Sequence, residues 1–329
     1  MTEITQHADA AWPLPRPDLG SWREGNTGTE GVWRFDSGVP GRELMVSAIV
    51  HGNELCGAWA VLAALQAGLR PRRGVLSLAF CNLAAFDLYD VAQPFQSRRV
   101  DEDLNRVWGS MDWAAEPALS LERQRALALR PFIERTDWLL DLHSMSSEAP
   151  ALMLSGLAAR HIALARAMGA PALVVSDAGH AEGRRMRDHG RFGQEVDDDS
   201  RALLLECGFH GALASRDVAL DGMSRFLAAS GVVDEADLPP AWRQPLPARQ
   251  QVLEVTHAVV ALTGDAPRFA AAWRTGQRVD GAGTLLGWNG GQIFRTPYAG
   301  CTLIMPSLRE VRPGMTIVRL ARDAEQVDP

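Results

Sequence analysis

Leu44–Val50 (LMVSAIV) runs without a charge into His51-Gly52-Asn53-Glu54, and a helical pattern follows from about Cys56 to Leu69. A short apolar run that stops at a turn and hands over to a helix reads as a buried strand in an α/β unit. Trp59, Leu62, Ala63 and Leu65 carry the apolar face of that helix. The same pattern recurs along the chain. Val75–Cys81 predicts a strand that ends at Asn82, and a helix from about Ser120 to Arg135 leads into the strand Trp138–Leu142, which ends at His143. A helix over Ala158–Met168 leads into the strand Ala172–Ser176, and Ala202–Leu205 predicts a strand ending at Glu206. Ser215 is placed to cap a helix that runs to Ser230 and stops at Gly231. Apolar strands alternating with helices predict an α/β fold, a parallel or mixed sheet with helices on both faces. Such sheets bind ligands outside the carboxyl ends of their strands. His51, Asn82, His143 and Glu206 all fall at those ends.

The flanks read differently. Residues 1–40 are rich in Pro, Gly and Asp and predict an arm and an early hairpin. Leu238-Pro239-Pro240 through Pro245 and Pro247 reads as a linker. Beyond it, Val252–Ala261, the turn-rich Gly281–Gly300 and the strand Thr316–Leu320 predict a small all-β unit. The 329 residues thus divide into a domain over 1–240 and a β domain over 246–329.

Composition narrows the chemistry. Apolar residues are 47% and charged residues 22%, which is globular composition. A net charge of -7 with no basic block argues against a nucleic-acid partner. No apolar run is long enough for a membrane span, and Met1–Ala10 lacks the basic and apolar regions of a secretory signal. The chain contains no lysine, so Schiff-base chemistry and a phosphate-loop nucleotide site are both excluded. Cys56, Cys81, Cys207 and Cys301 are scattered, which predicts a reduced, cytoplasmic protein without a disulfide framework. The sequence leaves open whether copies associate into a homo-oligomer.

Four groups of residues are candidates for chemistry. His51 and Glu54 stand three apart where a strand turns into a helix, with Gly52 permitting a sharp turn, so both side chains can reach one ion. A cation such as Zn²⁺ accepts imidazole nitrogen and carboxylate oxygen together, and catalytic sites usually take three protein ligands. His143 is the third candidate. Asp141 lies on the same strand face and is placed to orient the imidazole. Glu206 follows three leucines, and a carboxylate there needs a partner or a polar cleft; a general base is one reading and a strand-end salt bridge the other. The charge-dense stretch Ser97–Arg106 is either a solvated loop or a set of Arg and Asn donors for a carboxylate and a carbonyl.

Assembled in order, these residues resemble the succinylglutamate desuccinylase/aspartoacylase family of zinc carboxypeptidase-like hydrolases. His51-Gly52-Asn53-Glu54 is similar to its first zinc motif, Asp103-Leu104-Asn105-Arg106 with Arg98 ahead of it to its substrate motif, Asp141-Leu142-His143 to its third-ligand strand, and Glu206-Cys207-Gly208 to its catalytic glutamate. The resemblance covers about residues 44–231, with a weaker likeness of the β tail. It implies a zinc-carboxypeptidase-like sheet, one Zn²⁺ held by His51, Glu54 and His143, and Glu206 as general base and then general acid. It further implies that Arg98 polarises the scissile carbonyl, that Asn105 and Arg106 hold a substrate carboxylate, and that the substrate is a small N-acylated amino acid or related amine. Three positions depart from the family pattern: Leu83 follows Asn82, Arg99 follows Arg98, and no Arg stands at the family's spacing before Glu206. Arg184, Arg185, Arg187 and Arg191 lie upstream of it in a stretch that reads as a solvated loop, with an anion contact as the other reading.

Other features are assigned elsewhere. Gly281–Gly287 has its third glycine one residue late for a dinucleotide fingerprint, and no G-x-S-x-G elbow occurs. His161 reads as a helix-surface residue. His180, His189, His210 and His257 lack ligand-like spacing, although His210 is close enough to Glu206 to line the cleft. Tyr298 is the candidate for a contact from the β domain to substrate, with core packing as the other reading. A metallocarboxypeptidase acting on short peptides and a metal-binding protein without turnover are the rival readings.

Overall fold

The computed structural model describes residues 12–110, 112–113, 118–194, 198–307 and 311–324. The start of the expected arm, residues 1–11, lies outside them. The strands are β1 (Val32–Asp36), β2 (Glu43–Ala48), β3 (Val75–Phe80), β4 (Trp138–Met145), β5 (Leu152–Leu154), β6 (Leu173–Ser176), β7 (Arg201–Phe209), β8 (Gln251–Val260), β9 (Arg268–Phe269), β10 (Arg278–Val279), β11 (Leu285–Asn289), β12 (Gln292–Arg295), β13 (Cys301–Ile304) and β14 (Thr316–Asp323). The α-helices are α1 (Leu55–Gln66), α2 (Leu83–Asp87), α3 (Leu121–Arg135), α4 (Ala159–Met168) and α5 (Leu213–Ser230). No helix among the described residues is long and apolar enough to cross a membrane.

An 11-stranded mixed sheet runs β1-β3-β2-β4-β7-β5-β6-β8-β14-β13-β10. Strands β3, β2, β4 and β7 are parallel neighbours, while β5 runs antiparallel to β7. Alternation along each strand divides the core in two. Leu44, Val46, Leu140, Leu142, Leu203 and Leu205 face α1, α4 and α5. Met45, Leu139 and Ala202 face α3, through Ala126, Leu129 and Ile133. Asp141, His143 and Glu206 share the parity of that second face.

Several elements differ from the sequence reading. Among the described residues the early hairpin does not form: β1 pairs with β3 instead of its chain neighbour β2. Ser215 does not cap α5; the cap position is Ala212, and the Ser215 hydroxyl donates to the Ala212 carbonyl from inside the first turn. Strands β4 and β7 continue past His143 and Glu206, so these two residues sit within the sheet, directly paired in register. The sheet also crosses the Pro-rich segment without a break, because β6 pairs with β8 and β8 with β14. Met145, Leu204, Leu253, Ile304 and Ala321 form one apolar cluster that joins the strands on either side. The C-terminal strands keep a core of their own around Leu286, Leu303, Ile317 and Leu320.

His161 is buried, contrary to the helix-surface reading, because α4 turns this side of its first turn inward. Its Nε2 lies 3.0 Å from the Phe192 carbonyl, and its Nδ1 accepts from the Ala202 amide at 3.0 Å. Those partners select the neutral ring with the proton on Nε2. Burial, with the charges of Arg187 and Arg160, pulls its pKa from 6.5 down to about 3. A histidine depressed in the folded state costs stability below its unfolded pKa, because the unfolded chain then binds a proton that the folded chain refuses. Stability therefore falls by about 1.4 kcal/mol per pH unit from this residue as pH drops from 6.5 toward 3. Imidazole ¹⁵N NMR is expected to show His161 fixed as the Nε2–H tautomer, without titration between pH ~8 and ~5. A protonation midpoint near the ordinary value would overturn this account.

Candidate active site

The site grows from three backbone placements. His51 and Glu54 stand in the tight turn between β2 and α1, preceded by Ile49 at a φ of 48°, an unfavourable conformation for a β-branched residue. Gly52 is required by close approach and not by a left-handed turn: a Cβ there would lie 2.3 Å from the Ala85 carbonyl carbon and 2.5 Å from its oxygen. The turn is thereby pressed onto α2. His143 comes from β4 and Glu206 from β7, side by side in parallel register.

Glu54 joins the two histidines. Its Oε1 lies 2.8 Å from His51 Nδ1, and its Oε2 lies 2.8 Å from His143 Nδ1 and accepts from the Ser144 amide at 3.0 Å. Donor atoms of His51, Glu54 and His143 all fall within 4.8 Å of one another. Burial alone would raise the Glu54 pKa, but His51 and His143 hold it well below the usual carboxylate range. Burial alone would likewise lower His143, but Asp141 and Glu54 push it well above the usual imidazole range. The Asp141 carboxylate reaches His143 Nε2 at 2.8 Å and is itself fixed by the Ser47 hydroxyl at 2.7 Å. Two imidazoles, a carboxylate and a second carboxylate behind one ring form a donor set that fits a zinc ion.

Glu206 is buried in the same cavity, and its Oε2 has no hydrogen-bond partner among the described residues. Burial, reinforced by the Glu54 charge, pushes its pKa up to about 8. Arg98 reaches the group from the charge-dense stretch: one Nη2 lies 2.9 Å from both His51 Nε2 and Asp103 Oδ2. Asp103 Oδ1 is also 2.9 Å from His51 Nε2. Asn105 and Arg106 line the cavity with them. Asn105 has a second task, since its Oδ1 accepts the Met186 amide at 2.8 Å.

The stretch is not a solvated loop. The buried Glu122 carboxylate, at the start of α3, accepts the backbone amides of Val100, Asp101 and Glu102 at 2.7, 3.1 and 3.2 Å. Asn82, expected at the cleft, is instead drawn into this support: it caps α2 and its amide donates to Glu122 at 3.2 Å. Nor is the upstream arginine stretch a solvated loop. Arg185 and Arg187 are each 1% exposed, and an isolated backbone bridge ties the neighbouring Arg184 to Val107.

The cavity holds about 140 Å³. His210 lines it as expected, hydrogen-bonded to the Ser144 hydroxyl at 2.7 Å. His180 and Arg185 line it without having been anticipated, and so do Met305 and Arg319 from the C-terminal strands. Tyr298 is not brought there. Its ring packs against the C-terminal core and its hydroxyl lies 2.6 Å from Thr256 Oγ1. The pattern around Tyr298 could not reveal this, because which strand face meets the cavity is set by distant pairings.

Comparison with known proteins agrees with this geometry. Residues 40–196 match the model of the Succinylglutamate desuccinylase/Aspartoacylase catalytic domain, a span that contains His51, Glu54, Arg98, Asn105, Arg106 and His143 and ends before Glu206. No curated protein matches the sequence. Among solved structures, the succinylglutamate desuccinylase of Vibrio cholerae superposes with a TM-score of 0.62 at 17% identity, covering 89% of this chain and 86% of that one. A succinylglutamate desuccinylase/aspartoacylase from Rhodobacter sphaeroides gives 0.61 at 16% identity, with 88% and 87% covered. The product-bound ectoine utilization protein EutE (DoeB) from Ruegeria pomeroyi gives 0.60 at 18% identity, with 86% and 85% covered. Over residues 40–196 the chain is thus similar to the Succinylglutamate desuccinylase/Aspartoacylase catalytic domain, and its fold is the one these solved structures share.

Proposed function

We propose that the protein is a zinc-dependent deacylase that hydrolyses the acyl amide of a small N-acylated amino acid or related amine. The supporting observation is the three-residue donor set of His51, Glu54 and His143 beside the buried carboxyl of Glu206, whose Oε2 has no hydrogen-bond partner among the described residues. In this reading residues 1–240 carry the reacting groups. Residues 246–329 narrow the cavity through Met305 and Arg319. Four free, buried cysteines fit a reducing compartment such as the cytoplasm.

Zinc, when bound, supplies Lewis-acid polarisation and acidifies water. The chain's own groups do the rest. Asp141 holds the His143 ring in one orientation. Glu206 takes a proton from water and returns it to the leaving amine. Its raised pKa suits both directions, because a cation nearby draws a carboxyl down from about 8 toward neutrality. Arg98 turns from Asp103 to the carbonyl oxygen and stabilises the charge that develops there. Asn105 and Arg106 hold the substrate carboxylate.

Purified protein is expected to hold about one zinc per chain, and His51→Ala or His143→Ala to weaken binding by about 100-fold or more. Full occupancy of both variants in elemental analysis would remove the ligand assignment. Glu206→Gln is expected to keep its zinc while kcat falls by about 10²–10⁴. Loss of zinc from that variant would make Glu206 a ligand and end the proton-transfer role. Single N-acyl amino acids are expected to be substrates and tetrapeptides not, since about 140 Å³ cannot admit a long peptide. Efficient release of C-terminal residues from long peptides would make the protein a carboxypeptidase.

A further inference from the structure

The N-terminal arm is fastened beside the cavity at three successive positions. The Leu14 amide donates to the Gly211 carbonyl at 2.9 Å, and the Leu14 side chain is buried. The Trp59 indole donates to the Pro15 carbonyl at 2.8 Å. The Arg16 guanidinium lies 4.1 Å over the Phe86 ring and pairs with Asp87 at 3.1 Å. Trp12 stands at the head of this stretch. Its ring meets Phe95 and Phe209 edge-on, with centroids 5.2 Å apart in each case, and lies 6.2 Å from the His210 ring. Gly211 makes room for it, since a Cβ there would lie 2.9 Å from Trp12 Cδ2. Phe209 is the last residue of β7, the strand of Glu206, and His210 lines the cavity. Phe95 opens the 3₁₀ turn Gln96–Arg98, and its carbonyl accepts the Arg98 amide at 3.4 Å. Trp12 therefore braces the turn that delivers Arg98 against the strand that delivers Glu206.

Two observations give this brace a place in the chemistry. Trp12, Phe95 and Phe209 stand outside the four apolar clusters of the fold, so their packing serves the rim of the site more than the interior. The Glu122 anchor, moreover, begins at Val100, downstream of Arg98. Arg98 is held through its own backbone, where its carbonyl accepts the Gly52 amide at 3.2 Å, between His51 and Glu54. When the Arg98 head leaves Asp103 for a carbonyl oxygen it gives up that ion pair. The turn braced by Trp12 then sets its reach.

We propose that Trp12 is a positioning residue for Arg98, which makes the N-terminal arm a working part of the active site. The inference rests on the deacylase reading and deepens it. An edge-on ring contact is directional, so it fixes a placement as well as filling space. Placement matters here because a misplacement of about 1 Å can cost about 10²-fold in rate.

The test is a double-mutant cycle in zinc-loaded protein, on whichever of N-acetyl-, N-formyl- and N-succinyl-L-alanine the wild type hydrolyses. Trp12→Ala is expected to keep its zinc and its KM, because Asn105 and Arg106 lie beyond the Glu122 anchor, while kcat falls by about 10- to 100-fold. Trp12→Phe restores a ring edge and is expected to come within about 5-fold of the wild type. In an Arg98→Ala background, Trp12→Ala is expected to change kcat by less than about 3-fold, because the group it positions is gone. Losses that multiply in the double variant, or a Trp12→Ala protein that turns over like the wild type, would overturn the proposal. If none of the three amides is hydrolysed, the deacylase reading fails, and the brace is read by amide exchange in the protein as purified. In Trp12→Ala, or in Trp12→Leu should the alanine variant not fold, the Gly52 amide is expected to exchange about 10-fold faster, while the Val100, Asp101 and Glu102 amides held by Glu122 keep their rates. Unchanged exchange at Gly52 would overturn the brace itself.

Discussion

The buried carboxylate of Glu54 is the constraint on which the site depends. An ionised carboxylate taken out of water is costly unless its oxygens are matched with cations and donors. Here Oε1 meets one imidazole and Oε2 another, with a backbone amide added. Those partners come from separate parts of the chain, so satisfying one carboxylate fixes the β2–α1 turn against β4. Gly52 lets the same turn press on the backbone of Ala85. The geometry that serves a cation is therefore also the geometry that keeps Glu54 from being stranded.

A second buried carboxylate plays the matching part for the substrate-side residues. Glu122 gathers three consecutive amides, and the stretch that carries Arg98, Asn105 and Arg106 is held in place by them. Asp103 then ties Arg98 to His51. The positive side chains are thus pre-positioned, which lowers the ordering cost of engaging a bound anion. Arg98, Arg185 and Arg319 are each held by a carboxylate, and Arg106 donates to the Asn105 carbonyl.

What the sequence made legible was local or periodic. His51 and Glu54 are three residues apart, and Asp141 and His143 alternate on one strand, so their proximity follows from backbone geometry alone. The order of strands and helices on the N-terminal side follows from apolar runs for the same reason. Pairings between distant segments were not legible. Glu122 reads as an ordinary acidic residue in a first helical turn, because the amides it accepts lie about 20 residues upstream. Arg185 and Arg187 read as solvated because their glycine-rich stretch has no periodicity, yet Asp177 and Asp188 bury them. Three-residue β5 was too short to leave a pattern, and Tyr298 has a partner in Thr256 that no spacing rule reveals.

The continuity of the sheet explains how a residue as distant as Arg319 can line a cavity begun at His51. A separate β module tethered by a linker would present its side chains with the uncertainty of that linker. Here β6 pairs with β8, and β8 with β14, the latter pair with two register shifts along its length. Asp177 directly follows the last residue of β6, so the carboxylate that holds Arg319 and the strand that carries Arg319 are two strands apart in one rigid layer. Arg185, bound to the same carboxylate, is anchored independently through the Val107–Arg184 bridge and the Asn105 side chain. The cavity wall is therefore assembled from the sheet, the substrate-side stretch and the C-terminal strands through a single shared anion. Loss of the Asp177 charge would loosen all three together, whereas a change at Met305, which only contributes surface, would leave that framework standing.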